Sequence, residues 1–316
     1  MTTRASAFEI DLPATSANLG PAFDAAALAL DLYLRVRAQA AADFSIRAAG
    51  LDADICSDPD SIIFKIYREV LEAAGKQIPP IALEIENQIP IGKGFGSSAA
   101  ARLAGIALAV HFAGLSLTDG QILNEAARRE GHPDNAAACW LGGLVVTKQA
   151  ADEVVALRIE TPPRWSLLLV VPDQPLATEK GRRVLPERYT RGDVVSNVQG
   201  ALLLISALAQ GRADLLPQAF DDRFHQPYRT TLCPLLDPVR ALAGEAGILG
   251  AVLSGAGPAV LVFVDRTVSL DQARNHVAEA VARAGLKADV LVTGVASCGG
   301  RDSRRSLVAA PGGARR

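Results

Sequence analysis

Cysteine is scarce in this chain. Only Cys56, Cys139, Cys233 and Cys298 occur, none in a CxxC pair and none with a histidine at ligand spacing. That excludes the usual zinc patterns and argues against a disulfide scaffold; such thiols suit buried positions in a reducing cytosol. Charge of one sign is also missing: 32 basic residues face 34 acidic ones, for a net charge of -2. No footprint for nucleic acid or an anionic membrane follows from that balance. The basic cluster at 179–191, EKGRRVLPERYTR, suits a small anion or a solvated face. Aromatics are 5% of the residues. The opening stretch MTTRASAFEIDLPATSANLG lacks the apolar core of a signal peptide. Of the longest apolar runs, GALLLISALAQG is too short to span a bilayer, and ILGAVLSGAGPAVLVFVD is broken by Gly, Pro and Ser. The expectation is a cytoplasmic protein with no membrane partner.

What is present is an apolar fraction of 49%, much of it Ala, Leu and Val, in 316 residues. That suits two α/β-type units with helices pressed on sheets. Strands are predicted at 6–12, 30–38, 81–90 and 165–172, the last as a buried run. Between the first two lies a loop, PATSANLGPAFDAA. Helices are predicted at 61–75, 99–114, 118–130 with Thr118 as cap, 194–210, 234–246 and 270–285. GHPDN reads as a turn, followed by a small-residue segment, and LSGAGPAVLVFV as a Gly-rich turn between two strands. The predicted boundaries are 1–164 and 165–300, with a frayed tail at 301–316.

IPIGKGFGSSAAARLAG carries the strongest chemical signal. Gly92, Gly94 and Gly96 remove side chains where backbone must approach a ligand or take positive φ. Ser97 and Ser98 then open an Ala-rich helix, whose N-terminus offers free N–H groups and a positive dipole end to an anion. Lys93 adds a cation. The string matches neither the P-loop nor the dinucleotide fingerprint. On its own it is equally a capped helix after a Gly-rich turn.

Four ordered segments together resemble the GHMP kinase superfamily, as its homoserine kinases carry the motifs. PATSANLGPAFDAAALAL resembles the first motif, IPIGKGFGSSAA the second and LSGAGPAVLVFV the third. EGHPDNAAACWLGG (130–143) resembles a string specific to the homoserine kinases. The likeness spans about residues 8–265. Departures are Ala22 and Ala27 at Gly positions, Phe95 for Leu, and Ala136-Ala137-Ala138 for Val-Ala-Pro.

The resemblance implies an α+β fold of two domains: a ribosomal protein S5 domain 2-like N-terminal domain and a ferredoxin-like C-terminal domain, with the site in the cleft between them. It implies ATP on Pro90, Ile91, Gly92, Lys93, Gly94, Phe95, Gly96, Ser97 and Ser98. Mg²⁺ is implied on Ser98 and Glu130, with Glu125 as the alternative. Asn135 stands where related kinases have a catalytic Asp, which implies an amide orienting the hydroxyl, with Asp134 and Lys93 beside the reaction; an Asx turn at Asp134 and Asn135 is the less favoured alternative. The acceptor is expected to be L-homoserine, its ammonium met by Asn18 and Asp24, its carboxylate gripped by Arg182 and Arg229, and His132 lining the pocket. Rival acceptors are mevalonate or a sugar; a non-catalytic sensor is the remaining alternative. A homodimer is compatible with the sequence but not fixed by it.

Overall fold

A computed structural model describes residues 7–151, 153–162 and 165–307. The first half builds a sheet from β1 (Ala7–Ala17), β2 (Ala26–Ala40), β3 (Ser45–Gly50), β4 (Ile81–Asn87), β5 (Leu144–Ala150) and β6 (Glu153–Ile159). The second half supplies β7 (Trp165–Pro172), β8 (Ile248–Leu253), β9 (Val260–Asp265) and β10 (Ala288–Thr293), before β11 (Arg305–Leu307) returns to the first sheet. In the first sheet the order is β11-β1-β2-β4-β3, with β5 on β2 and β6 on β5; only β3 and β4 run parallel. The second sheet is antiparallel, in the order β10-β7-β9-β8. Helix Arg191–Gln210 lies between β7 and β8, and helix Leu270–Arg283 between β9 and β10. This is the β-α-β-β-α-β arrangement expected for a ferredoxin-like domain.

The sequence explains these elements locally. In β7, Leu167, Leu169 and Val171 join one apolar cluster while Leu168 and Val170 join the other. A strand buried on both faces reads as an unbroken apolar run, as WSLLLVVP does. β1 changes register against β2 between Pro13 and Ala14. Beyond that irregularity it continues to Ala17, so the predicted loop starts later than expected. Helix Ser97–Ala113 begins at Gly96, at φ 67°, and ends at Gly114. Helix Asp119–Glu130 has Thr118 as its cap, in a capping box with Gln121.

Several expectations are corrected. Asp134 and Asn135 do not build a free turn: they open a helix, Asp134–Leu141, in which every residue is buried. An Ala-rich helix buried all round shows no polar face to announce it. The predicted helix 234–246 shrinks to Leu236–Arg240. The apolar run read as too short for a bilayer belongs to Arg191–Gln210, a helix long and apolar enough to cross one by length and composition. Here it buries Asn197, Gly200, Leu204, Ala207 and Leu208 inside the fold. Residues 301–307 are not a frayed tail, since helix Gly300–Ser303 and β11 close on β1. The return begins at Gly294, where Asp31 N donates to Gly294 O at 3.0 Å and Ala296 N to Ala29 O at 3.0 Å. The last segment thus belongs to the first sheet rather than to a domain ending at 300. The predicted division after 164 falls on residues 163 and 164, which, like 308–316, lie outside the described residues.

Candidate active site

Three motifs far apart in sequence are tied together by hydrogen bonds. The third motif holds the Gly-rich loop: Ser254 Oγ donates to Gly94 O at 2.8 Å, and Ala259 N to Lys93 O at 3.2 Å. The first motif holds it from the other side, with Thr15 N donating to Phe95 O at 3.0 Å. First and third motifs meet directly, Asn18 Nδ2 donating to Gly255 O at 2.8 Å. At Gly94, φ is +93° and a Cβ would sit 2.1 Å from Ser254 O; at Gly96 one would sit 2.0 Å from Thr15 Oγ1. No side chain fits this clamp without moving its neighbours.

The clamp closes one wall of a cavity of about 460 Å³ lined by both halves of the chain. Asn18, Asp24, Ile91, Gly92, Gly94, Phe95, Gly96, Ser97, Ser98, Glu130, His132, Asp134, Asn135, Arg182 and Arg229 all line it. Pro90 and Lys93 do not. Lys93 Nζ turns away to donate to the backbone oxygen of Asp173, and burial lowers its pKa from the ordinary value. In this structure Lys93 thus does not face the space where the reaction is expected. One end of the cavity is apolar, with Ile55, Ile62 and Ile89 on its wall. There the Ser61 hydroxyl is buried with no hydrogen-bond partner among the described residues.

At the loop, Ser98 Oγ lies 3.4 Å from Glu130 Oε2, which also receives Arg102 Nη1. Glu125, the alternative, is bound to Arg128 and Arg129 outside the cavity wall. Two hard oxygen donors side by side at a helix N-terminus fit Mg²⁺. Asn135 Oδ1 accepts from Thr15 Oγ1 at 2.6 Å, which leaves its NH₂ group for the cavity. Asp134 Oδ1 accepts from Asn135 N and faces His132 Nδ1, each at 2.7 Å. Burial acts to lower the His132 pKa, but the bond to Asp134 and its charge outweigh that, and the net shift is upward.

At the far end Asp24 and Arg182 form a two-pronged pair, with Nη1 to Oδ2 at 3.0 Å and Nη2 to Oδ1 at 2.5 Å. Asn18 Oδ1 accepts from Asp24 N at 2.9 Å, so both ends of the Asn18 amide are used to shape the turn that carries Asp24. Arg229 is 1% exposed. Its Nε donates to Gly181 O at 2.9 Å and its Nη1 contacts His225 Nδ1 at 3.0 Å and Gly255 O at 3.3 Å. Among the described residues Nη2 has no protein partner. Burial, then the nearby Arg182, bring the Arg229 pKa down to about 10.

Sequence reasoning missed Thr15, Arg102, Phe23 and His225. His225 stands four positions before Arg229, the one residue of that stretch singled out in the sequence.

Comparison with known proteins gives the family and the fold. GHMP kinases N terminal domain matches residues 61–143, and GHMP kinases C terminal matches residues 204–283. A homoserine kinase of Solibacter usitatus is 48% identical over 268 residues, 84% of this chain and 88% of that protein. One from Deinococcus radiodurans is 38% identical over 293 residues, 92% of this chain and 95% of that protein. The crystal structure of homoserine kinase from Cytophaga hutchinsonii superposes with a TM-score of 0.79 at 23% identity, covering 96% of this chain and 98% of that one, a likeness of fold. With two family matches and relatives of this identity along most of its length, the chain belongs to the GHMP kinases, in their homoserine kinase family.

Proposed function

We propose that the protein transfers the γ-phosphoryl group of ATP to the side-chain hydroxyl of L-homoserine, giving O-phospho-L-homoserine and ADP. The observation that carries the acceptor is the pairing of opposite charges at one end of the cavity. Asp24 offers a carboxylate, and Arg182 and Arg229 offer guanidinium groups, all facing the same space. A zwitterion needs both signs within a few ångströms, whereas a neutral sugar needs neither. The relatives named above are homoserine kinases, which supports the same acceptor.

The nucleotide is read onto the loop 92–98. Gly92, Gly94, Phe95, Gly96, Ser97 and Ser98 line the cavity at the start of helix Ser97–Ala113, where their backbone N–H groups would neutralise the triphosphate. Ser98 and Glu130 are the residues that would hold Mg²⁺, which would supply charge neutralisation on the phosphate oxygens. Asn135, its carbonyl oxygen tied to Thr15, would direct an N–H at the acceptor hydroxyl. The hydroxyl oxygen forms the new bond to phosphorus as the bond to the ADP oxygen breaks, and the hydroxyl proton passes to an oxygen of the transferred phosphoryl group and from there to solvent. Asp134 is less suited to act as a base, because its Oδ1 already meets both His132 and the Asn135 N–H. Positioning and electrostatics then supply the rate.

A coupled assay of ADP release with homoserine, threonine, mevalonate and galactose tests the reading. Homoserine should turn over fastest. Faster turnover of mevalonate or galactose would overturn the acceptor while leaving the kinase family intact, and ADP release with none of them would favour a non-catalytic member of the family.

A further inference from the structure

His225 does not line the cavity and has no part in the transfer itself, yet it is fully buried directly behind Arg229, which does line it. Its two ring nitrogens face opposite ways. Nδ1 lies 3.0 Å from Arg229 Nη1, and Nε2 lies 2.9 Å from Gly20 O. Arg229 can only donate, so Nδ1 must accept. The proton then sits on Nε2 and is donated to Gly20 O. Asp222 Oδ2, 3.4 Å from Nε2, also favours a proton there, so the partners together select one neutral tautomer. A cationic ring would set an N–H against the guanidinium, and burial brings the His225 pKa down to about 4.

The ring is itself held. Asp222 accepts from the backbone N–H groups of Phe224, His225 and Gln226, which pins the start of the short helix that carries Arg229. Phe23 packs against the imidazole at 5.4 Å and lies 5.3 Å from the Arg182 guanidinium and 5.6 Å from that of Arg229. An aromatic face between two like charges offsets part of their repulsion. Gly20, the other partner of the ring, belongs to the turn that presents Asp24. The imidazole therefore bridges the cationic and the anionic sides of the pocket.

We infer that His225 is a positioning residue for substrate selection: through its neutral Nδ1 acceptor it fixes the Arg229 fork, and through Nε2–H it fixes the turn carrying Asp24. Recognition of the acceptor's carboxylate depends on that spacing. The inference rests on the homoserine reading above and deepens it. A buried histidine that merely fills space would not need both nitrogens matched to the two halves of the pocket.

The test compares His225→Gln and His225→Asn, with ATP, using homoserine and 3-aminopropan-1-ol, which is homoserine without its carboxylate. Asn places an oxygen near the Nδ1 position and keeps the acceptor for Arg229; Gln keeps a donor toward Gly20 and loses that acceptor. His225→Gln should raise KM for homoserine at least about tenfold, the scale of one charged hydrogen bond, and leave KM for ATP within about twofold. The preference for homoserine over 3-aminopropan-1-ol should fall by a similar factor. His225→Asn should keep most of that preference. Equal losses toward both acceptors, an unchanged homoserine KM, or loss of ATP binding in both variants would overturn the inference and leave His225 a packing residue. Wild-type protein that fails to phosphorylate homoserine would instead overturn the proposed acceptor, so the two failures are distinct.

Discussion

The two ends of the cavity are built from different materials. The nucleotide end is made of backbone: three glycines at positive φ, a helix N-terminus and carbonyls clamped by Ser254, Ala259 and Thr15. The acceptor end is made of side chains, with Asp24, Arg182, Arg229 and His225 holding one another by charge and hydrogen bonds. A backbone-built site recognises what every nucleoside triphosphate shares. A side-chain site recognises one acceptor. A change in the loop should therefore damage all reactions alike, whereas a change at the far end should damage one acceptor.

The largest effect is expected from Gly94→Ala. The new Cβ would lie 2.1 Å from Ser254 O and 2.9 Å from Gly257 O, at a φ of +93°. Both obstacles are backbone atoms, so the loop itself must shift. Turnover with every acceptor should fall by about a hundredfold to a thousandfold, as when a fixed donor to the developing charge is lost. Steady-state kinetics with two acceptors, alongside circular dichroism to show the fold persists, measures this. A loss confined to homoserine would break the division between the two ends.

Next comes Arg229→Lys. Lysine keeps the charge but cannot donate to Gly181 O, His225 and Gly255 O together while offering a further N–H to substrate. KM for homoserine should rise more than about tenfold and KM for ATP should hardly move. If ATP binding suffers and homoserine is spared, the ends have been assigned the wrong way round.

What was legible in the sequence follows the same division. Glycine spacing and the Ser-Ser-Ala-Ala start of a helix are local signals, and they placed the loop and its helix. The interior helix Asp134–Leu141 was hidden because Gly-His-Pro-Asp-Asn is turn chemistry and the residues after it are apolar on every face. At the acceptor end the residue types were visible but their partners were not. Asn18 meets Gly255 across 237 positions and Arg182 meets Asp24 across 158. No local pattern reports that Asn18 spends both ends of its amide inside the protein, or that His225 lies between Gly20 and Arg229. β11 was missed for a similar reason: it is three residues long and exists only because β1 offers an edge.

A smaller effect separates two carboxylates on one helix. Glu130→Gln weakens the oxygen donor beside Ser98, and the Mg²⁺ concentration for half-maximal rate should rise several-fold, about 1 kcal/mol of binding. Glu125→Gln removes only partners of Arg128 and Arg129 and should leave the Mg²⁺ requirement unchanged, lowering stability by about 1 kcal/mol or less. A magnesium titration of both variants decides it; equal responses would remove Glu130 from the metal site.

The smallest effect should come from the residue with the most suggestive place in the sequence. Lys93 stands inside the Gly-rich string, where a cation among phosphates is the natural reading. Yet its Nζ is spent on the backbone oxygen of Asp173, and it does not line the cavity. Its remaining influence on bound ATP is a charge acting through solvent, which screens charges beyond about 8–10 Å at ordinary ionic strength. Its backbone is another matter, because Lys93 O accepts from Ala259 N at 3.2 Å and helps hold the loop. Lys93→Met keeps that backbone bond and most of the side-chain bulk while removing the charge. Turnover and KM for ATP should both stay within about twofold of wild type, the small effect usual for an exposed charge. Kinetics at low and high salt sharpen the measurement, since a solvent-borne effect should vanish as salt rises. A tenfold or greater loss that persists in high salt would mean that Lys93 releases Asp173 and enters the cavity when ATP binds. The nucleotide end would then use a charged side chain of the loop itself, beyond the Ser98 and Glu130 proposed for Mg²⁺, and the contrast with the acceptor end would fail at this position.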